Sequence, residues 1–168
     1  MALAIGIGYD SHRFGAGRRL ILGGVEVPHA RGLEGHSDAD VLTHAIIDAV
    51  LGAAGLGDLG RHFPASDERW RDADSIDLLR TALGMVSGRV ANADATVICE
   101  SPRLEPQRPE MERELAAVLS APVSVKATSN EGMGWIGRNE GIACIAVVLV
   151  DLAGGAPTAA PSPGLGPE

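Results

Sequence analysis

Three residues in two short segments have the types and the spacing of a metal site. Asp10 and His12 lie in the run GIGYDSHRF, and His44 ends the run GHSDADVLTH. Together they offer one carboxylate oxygen and two imidazole nitrogens, a ligand set of catalytic zinc sites that keep a fourth position open for substrate. An Asp-x-His pair is short and often occurs by chance. On this pattern alone, the three residues could also be unrelated polar side chains.

The elements around these residues are expected to bring them together. Residues two apart in an extended segment point to the same side, so Asp10 and His12 can converge on one ion from the end of a strand predicted at Ala4–Tyr9. Apolar residues then recur at three- and four-residue steps over Asp38–Ala54, which predicts an amphipathic helix. His44 is expected to project from this helix.

Two carboxylates lie one helical turn from His44, namely Asp40 before it and Asp48 after it. Metal-bound imidazoles usually donate their second N–H to a carboxylate or a carbonyl. Asp48, or else Asp40, is therefore a candidate partner of His44, and the alternative for Asp48 is a solvated acid on the helix face. Ser37 or Asp38 is expected to cap the start of the helix.

Composition predicts one domain at residues 1–152 with a real core, since the 168 residues are 45% hydrophobic. The segment 153–168, AGGAPTAAPSPGLGPE, predicts a disordered tail. Without a long apolar run or a signal-peptide pattern, the chain is expected to be cytoplasmic and not membrane-spanning. Cys99 and Cys144 lie in apolar strand-like runs and are predicted to be small buried residues rather than a disulfide.

The charge balance narrows the choice of ligand. The formal net charge is −8, and Lys126 is the one lysine among 14 basic residues. This argues against non-specific binding to nucleic acid or to an anionic membrane, because both depend on a basic surface. If the ligand is a phosphate compound, it has to be bound by local groups, such as metal ions, glycine-rich backbone and a few arginines.

Strands and helices alternate along the chain, which predicts an α/β or α+β fold, a single domain with one mixed sheet covered by helices. The predicted strands are Ala4–Tyr9, Arg19–Leu22, Ala95–Cys99, Val123–Ala127 and Ile142–Leu152, and the predicted helices are Asp38–Ala54, Ser75–Val86 and Pro109–Leu119. The last strand is almost wholly apolar. It is expected either to be buried by helices on both faces or to pack against other copies of the chain, and we favour an oligomer.

Two segments near the helix favour binding of an oxygen-rich ligand. His36 and Ser37 precede the helix, where free backbone N–H groups favour an anion, so His36 is expected where a phosphate would bind. GLGDLGRHFPASD follows the helix and contains Asp58, Gly60 and Asp67. It is interpreted either as a C-cap glycine with an ordinary loop or as an acid–glycine loop that binds the hydroxyls of a polyol.

Two later segments also carry chemistry. The first segment, ICESPRLEPQRPEM, has three prolines after a strand, which predicts a rigid loop whose backbone groups are free to contact a base edge. The alternative is an ordinary lead-in to the next helix, with Pro109 near its first turn. VKATSNEGMGWIGRNEGIA predicts a phosphate and metal loop, with Ser129 donating to a phosphate oxygen and Glu131 binding a hard cation. Trp135 is more typical of a core or an interface, and Lys126 of an ion pair at a strand end.

Three segments together resemble a known family. GYDSHRF, GHSDADVLTHAIIDAVLGAAGLGDLGRHFP and VKATSNEGMGWIGRNEGIAC resemble, in order and spacing along residues 5 to 150, the diagnostic segments of the 2-C-methyl-D-erythritol 2,4-cyclodiphosphate synthases. The resemblance implies an enzyme of non-mevalonate isoprenoid biosynthesis, a phosphorus–oxygen lyase. Its reaction would convert 4-diphosphocytidyl-2-C-methyl-D-erythritol 2-phosphate into the cyclic diphosphate and CMP.

The resemblance also implies roles for individual residues. Zn²⁺ would bind Asp10, His12 and His44, and Glu131 would hold a second divalent cation, Mg²⁺ or Mn²⁺. His36 and Ser129 would act in catalysis by orienting the attacking phosphate and the transition-state oxygens. The implied substrate contacts are Asp10, Ser11, His12, His36, Ser37, Asp58, Leu59, Gly60, Phe63, Pro64, Ala65, Ser66, Asp67, Cys99, Glu100, Ser101, Pro102, Arg103, Leu104, Glu105, Thr128, Ser129, Asn130, Glu131, Trp135 and Arg138.

At the level of assembly, the resemblance implies a homotrimer. Each active site would combine the metal side of one subunit with the cytidine side of its neighbour. An apolar central channel would run near Trp135, where Arg138 would meet an isoprenoid diphosphate. The chain departs from the common family pattern at Ser129, usually threonine, at Trp135, usually a smaller aromatic, and at Ala65, where many relatives carry an acid.

Two rival function classes share part of the pattern. A zinc-dependent phosphohydrolase would use the same triad but needs a water nucleophile and would release linear products. A noncatalytic nucleotide-binding or assembly protein with structural zinc would have a closed site of four ligands, and the sequence offers no cysteine near the triad.

Overall fold

The computed structural model describes residues 2–152, so the tail predicted at 153–168 lies outside the described residues. The elements are β1 (Ala2–Gly15), β2 (Leu20–Leu22), β3 (Val25–Val27), β4 (Gly32–Leu33), α1 (Val41–Ala53), α2 (Leu59–His62), a 3₁₀ turn (Glu68–Trp70), α3 (Ser75–Met85), β5 (Gly88–Ile98), α4 (Arg108–Leu119), β6 (Val123–Thr128), α5 (Gly134–Gly137) and β7 (Gly141–Leu152). Every predicted strand and helix is present. β3, β4, α2 and α5 were not predicted, because two to four residues are too few to show a hydrophobic period.

One mixed sheet forms the centre of the domain, as predicted. Its strand order is β4-β1-β7-β5-β6, in which β5 and β6 are parallel and the other neighbours antiparallel. β2 and β3 form a separate hairpin. Helix α1 packs on β1 and β7, α4 packs on β6, and α3 packs against α1. Among residues 2–152, no helix is both long enough and apolar enough to cross a bilayer.

Two glycines allow α1 to lie directly against β1. Gly6 and Gly8 are buried on the face of β1 that α1 covers. A Cβ at Gly6 would lie 1.8 Å from the Ala49 carbonyl oxygen, and one at Gly8 would lie 1.9 Å from the Ala45 carbonyl oxygen. No side chain fits in these gaps. Because alternate residues of a strand share a face, Asp10 also points toward α1.

Helix α1 begins three residues later than predicted. Its cap is Asp40, whose side chain accepts from the N–H of Thr43, rather than Ser37 or Asp38. Ala39 has a φ of +59°, a left-handed conformation that interrupts any helix begun at Asp38. The predicted caps were therefore wrong, and the residues before Asp40 form an irregular lead-in to the helix.

The sheet has one covered face and one open face within this chain. Along β7 the even-numbered residues are buried under α1, whereas Ile145 and Val147 are exposed. Burial of β7 by helices on both faces, one of the two predicted alternatives, is therefore wrong. The open face continues onto β1, where Ile5 and Ile7 are 74% and 70% exposed.

Candidate active site

Three potential metal ligands converge between β1 and α1. The Asp10 Oδ2 atom lies 2.9 Å from His12 Nε2 and 3.0 Å from His44 Nδ1, and the two nitrogens are 3.3 Å apart. Tetrahedral ligands about 2.0–2.1 Å from a zinc ion lie about 3.3 Å from one another. Among the described residues, this is the one place where three or more histidine, cysteine or carboxylate side chains lie close enough together to bind one metal ion, with their ligand atoms within 4.8 Å of one another. The predicted convergence is confirmed, although β1 continues to Gly15 and the pair lies inside the strand rather than at its end.

A hydroxyl group fixes the orientation of the His44 ring. His44 Nε2 lies 2.9 Å from Ser75 Oγ and 3.0 Å from Ser37 Oγ. Ser75 Oγ also contacts the carboxylate of Asp38, which can only accept, so the hydroxyl donates to Asp38 and its oxygen accepts from Nε2–H. The neutral ring therefore carries its proton on Nε2 and its lone pair on Nδ1, which is the form of imidazole that binds a metal. A proton added at Nδ1 would instead donate to Asp10 Oδ2, 3.0 Å away.

The carboxylates predicted as partners of His44 do not contact it. Asp40 is fully buried and hydrogen-bonded to the turn between β2 and β3, while Asp48 accepts from the N–H of Leu59 at 2.7 Å. Helical spacing places Asp40, His44 and Asp48 on neighbouring positions, but it does not show which groups their side chains contact. The partner, Ser75, lies 31 residues away on α3, and no signal near His44 identifies it.

The three ligands form a coupled charge network. Burial raises the pKa of Asp10, but hydrogen bonds and charge from His12 and His44 outweigh it, so the pKa falls well below its usual range. Burial lowers the pKa of His44, and the hydrogen bond and charge of Asp10 outweigh this and raise it. Asp10 is therefore ionised at neutral pH. A metal ion on His44 would compete with a proton for the same nitrogen.

A cavity of about 460 Å³ surrounds the triad. It brings together the lead-in to α1, the acid–glycine loop and an aromatic pair. The lining residues are Asp10, His12, His36, Ser37, His44, Asp48, Asp58, Leu59, Gly60, Phe63, Ala65 and Trp70. Trp70 was not predicted; its ring packs edge-on against Phe63 at 5.1 Å between ring centres.

Several predicted contacts lie near this cavity without lining it. Asp67 directs its carboxylate to Arg69, and its carbonyl oxygen lies 3.1 Å from His36 Nε2. Ser66 is exposed, and Pro64 is partly buried beside it. The predicted C-cap glycine is present, since Gly55 follows α1 with a φ of +69°. Asp58 lines the cavity, and its binding of a polyol stays a prediction.

The predicted cytidine and diphosphate loops meet in a second cavity of about 370 Å³. Its lining residues are Cys99, Glu100, Pro102, Arg103, Leu104, Glu105, Ala127, Thr128 and Ser129. Glu100 ties the two loops together by accepting from the N–H of Asn130 at 2.8 Å, and Ser101 donates to Asn139 at 3.1 Å. The helix lead-in interpretation is confirmed, since Pro109 lies in the first turn of α4, and contact with a base edge stays a prediction.

The second cavity is distant from the triad within one chain. Asp10 and Ala127 occupy the same row across four adjacent strands, which places them about 14 Å apart at about 4.8 Å per strand. Glu131, in the loop after β6, accepts from Ser129 Oγ at 2.9 Å and does not join the triad. The two halves of the predicted site thus lie at the same end of the sheet but three strands apart.

The segment predicted to border a channel lies at a third cavity, of about 560 Å³. Trp135 is partly buried there, and Ser11 reaches the same cavity from the open face of β1. Arg138 pairs with Glu140 at 2.6 Å. The predicted Lys126 ion pair is present, with Asp94 of the adjacent strand at 2.5 Å.

A family model and curated proteins match nearly the whole described chain. The model of the YgbB family matches residues 3–151. A protein of Symbiobacterium thermophilum named 2-C-methyl-D-erythritol 2,4-cyclodiphosphate synthase is 54% identical over 154 residues, which cover 88% of this chain and 98% of that protein.

Solved structures have the same fold. A 2C-methyl-D-erythritol-2,4-cyclodiphosphate synthase in its CDP-bound form superposes with a TM-score of 0.80 at 35% identity, over 88% of this chain and 99% of that one. The bifunctional IspDF of Campylobacter jejuni superposes with a TM-score of 0.85 at 38% identity, and the match spans 90% of this chain and 42% of that longer protein. The two superpositions therefore span about nine tenths of this chain.

Proposed function

The chain belongs to the YgbB family, and we propose that it acts as a 2-C-methyl-D-erythritol 2,4-cyclodiphosphate synthase of non-mevalonate isoprenoid biosynthesis. It converts 4-diphosphocytidyl-2-C-methyl-D-erythritol 2-phosphate into the cyclic diphosphate and CMP. The observation that supports this best is the Asp10, His12 and His44 donor set inside a cavity, in a chain 54% identical to a synthase of that name.

The reaction needs positioning rather than a protein nucleophile. An oxygen of the substrate's own 2-phosphate attacks the β-phosphorus and forms a new P–O bond. The bond from the β-phosphorus to the bridging oxygen breaks, and CMP leaves with the electron pair. The protein therefore has to hold the two phosphates in line and offset their charge, as in other phosphoryl transfers.

Asp10, His12 and His44 would hold a Zn²⁺ ion. Their donor types suit zinc, and their mutual distances of 2.9, 3.0 and 3.3 Å are close to a tetrahedral edge of about 3.3 Å. Three protein ligands also leave a position for substrate. When bound, the ion supplies Lewis-acid polarisation of a phosphoryl oxygen. The chain's own contribution is to hold the three ligands on a strand and a helix before substrate arrives.

Polar groups of the two cavities would position the substrate. His36 Nε2–H donates to the Asp67 carbonyl, which can only accept, so the ring has a defined orientation beside the triad. We infer that His36 orients the attacking phosphate and that Asp58 and Gly60 bind hydroxyls of the methylerythritol. The Ser129 hydroxyl would donate to transition-state oxygens of the diphosphate.

A second divalent cation, Mg²⁺ or Mn²⁺, would bind Glu131. A carboxylate in an exposed loop beside a serine hydroxyl is a hard oxygen ligand of the kind these cations prefer. When bound, the cation offsets charge on the α- and β-phosphates. Two dications would also explain how a chain of net charge −8 binds a polyanion.

The active site is proposed to form between subunits of a homotrimer. The metal cavity and the cytidine cavity are separate within one chain, and the sheet leaves one apolar face uncovered. The exposed apolar residues of this face are Leu3, Ile5, Ile7, Tyr9, Ile145 and Val147. A trimer that buries this face would bring neighbouring cavities together. Its interior would form an apolar channel, where Arg138 would exchange its exposed ion pair with Glu140 for an isoprenoid diphosphate.

The location of the protein is proposed to be the cytoplasm. Both cysteines are free and buried, which suits a reducing compartment. The soluble substrate needs no contact with a membrane or with nucleic acid.

The function is tested by following the phosphorus atoms of the diphosphocytidyl substrate. Purified protein loaded with Zn²⁺ and supplied with Mg²⁺ should release CMP and produce a cyclic diphosphate, observed by ³¹P NMR. Linear phosphate products would instead indicate a phosphohydrolase with a water nucleophile. His44→Ala, assayed in parallel, should lose zinc and nearly all CMP release.

A further inference from the structure

One arginine outside the cavities holds the segment that carries His36. Arg18 lies between β1 and β2, and its Nη1 donates to the carbonyl of Gly35 at 2.6 Å. Its Nη2 donates to the carbonyl of Ser37 and lies 3.4 Å from the Asp72 carboxylate. The carbonyl of His36, between the other two, accepts from the N–H of Asp72 at 2.8 Å. Three successive carbonyls are thus engaged by Arg18 and one backbone amide.

The N–H groups of the same three residues have a different role. Those of Gly35, His36 and Ser37 have no hydrogen-bond partner among residues 2–152. Successive N–H groups in a turn-like backbone form a concavity that binds anions, and the backbone bends at residues 35–38. A cation on the carbonyl side polarises the peptide groups and strengthens these donors. His36 and Ser37 line the metal cavity, whereas Arg18 does not.

We propose that Arg18 is a positioning residue, which fixes the backbone of residues 35–37 so that its N–H groups and the His36 ring meet a phosphate of the substrate. The proposal rests on the proposed function. The planar guanidinium suits this role because its fork can donate to two carbonyls at once, which a lysine ammonium cannot match in geometry.

The ion pair with Asp72 is not the source of the effect. Asp72 is 77% exposed and lies 3.4 Å from the guanidinium, whereas Arg18 itself is 29% exposed. Exposed ion pairs contribute little, so the two carbonyl bonds carry the positioning. Asp72→Asn should accordingly lose far less activity than Arg18→Ala.

The test compares Arg18→Ala with Arg19→Ala, a matched control. Arg19 is the next residue, has the same charge, and pairs with Glu26 at 3.0 Å on the exposed surface of the β2–β3 hairpin. Arg18→Ala should lower kcat for CMP release on the order of 100-fold. Zinc content should stay at the wild-type level, because the three ligands lie on β1 and α1 and Ser75 still holds the His44 ring. Arg19→Ala should leave kcat unchanged. Added guanidinium ion should restore part of the kcat of Arg18→Ala, and Arg18→Lys should be intermediate.

A binding measurement separates this inference from the proposed function. Zinc-loaded Arg18→Ala should bind inorganic pyrophosphate at least about fivefold more weakly than Arg19→Ala, whether or not the wild type turns over. A wild type without CMP release would overturn the function but not the anion-binding result. Equal pyrophosphate affinity and kcat in the two variants would overturn the inference, as would a loss of zinc and thermal stability without rescue by guanidinium. If Arg18→Ala does not fold, Arg18→Lys takes its place in both comparisons.

Discussion

The side chain of Ser75 decides which nitrogen of His44 faces the metal position. Its hydroxyl donates to Asp38 and accepts from Nε2–H, so removing it leaves Ser37 as the remaining contact of that nitrogen. Ser75→Ala is expected to lower zinc affinity about 10–100-fold, since partners of metal-bound histidines contribute that much. Zinc titration against a competing chelator measures the change. Ser124→Ala, which removes an exposed hydroxyl from β6, should match the wild type.

Single residues divide into those that the sequence revealed and those that it did not. Asp10 and His12 were predictable because both lie on one strand at a two-residue period, and His44 because its helix has a clear apolar stripe. Ser75 was not, because its contact joins two helices across 31 residues. Equal affinity of Ser75→Ala and Ser124→Ala would contradict the role given to the hydroxyl.

Among the elements, the contact between α1 and β1 sets the distance from His44 to Asp10. Gly8→Ala would place a methyl group 1.9 Å from the Ala45 carbonyl oxygen, so the helix has to move away. Overpacking of this kind costs about 1–3 kcal/mol, and the shift should also weaken zinc binding. Thermal unfolding and zinc titration of the same variant measure both effects.

A glycine elsewhere provides the control for this substitution. An added Cβ at Gly84, near the end of α3, would meet no atom within 4 Å. Gly84→Ala should stabilise the fold by about 0.5–1 kcal/mol through helix propensity alone and leave zinc binding unchanged. Wild-type zinc affinity in Gly8→Ala would show that the helix–strand contact does not control the ligand distance.

The start of α1 illustrates why element bounds were harder to predict than element types. The apolar period identified the helix, but the helix starts after its N-cap, Asp40. The Asp40 carboxylate accepts from the N–H groups of Gly23 and Gly24 as well as from that of Thr43, and these bonds hold the cap in place. Burial, and then the charge of Asp38, raise the pKa of Asp40. These contacts involve a hairpin distant in sequence, so periodicity within the helix could not reveal them.

At the scale of the whole molecule, the open face of the sheet is the feature that a single chain leaves unexplained. Ile7 and Val147 pair across β1 and β7 on this face, as do Tyr9 and Ile145. The length and apolar character of β7 predict packing against another copy of the chain, and the exposure of Ile145 and Val147 leaves a face available for it. Sequence could not show which face lacks cover, because that depends on where α1 packs.

Mixed assemblies test whether a complete active site requires two chains. His44→Ala removes the metal side and Glu131→Ala the diphosphate side, so each variant alone should be inactive in a trimer with shared sites. Co-expression gives mixed trimers in which one interface joins an intact metal side to an intact diphosphate side, whichever variant is in the majority. Random mixing should restore about one quarter of wild-type CMP release, because about three quarters of cyclic trimers are mixed and one site in three is intact. Sites complete within one chain would show no recovery, since every chain would carry a defect.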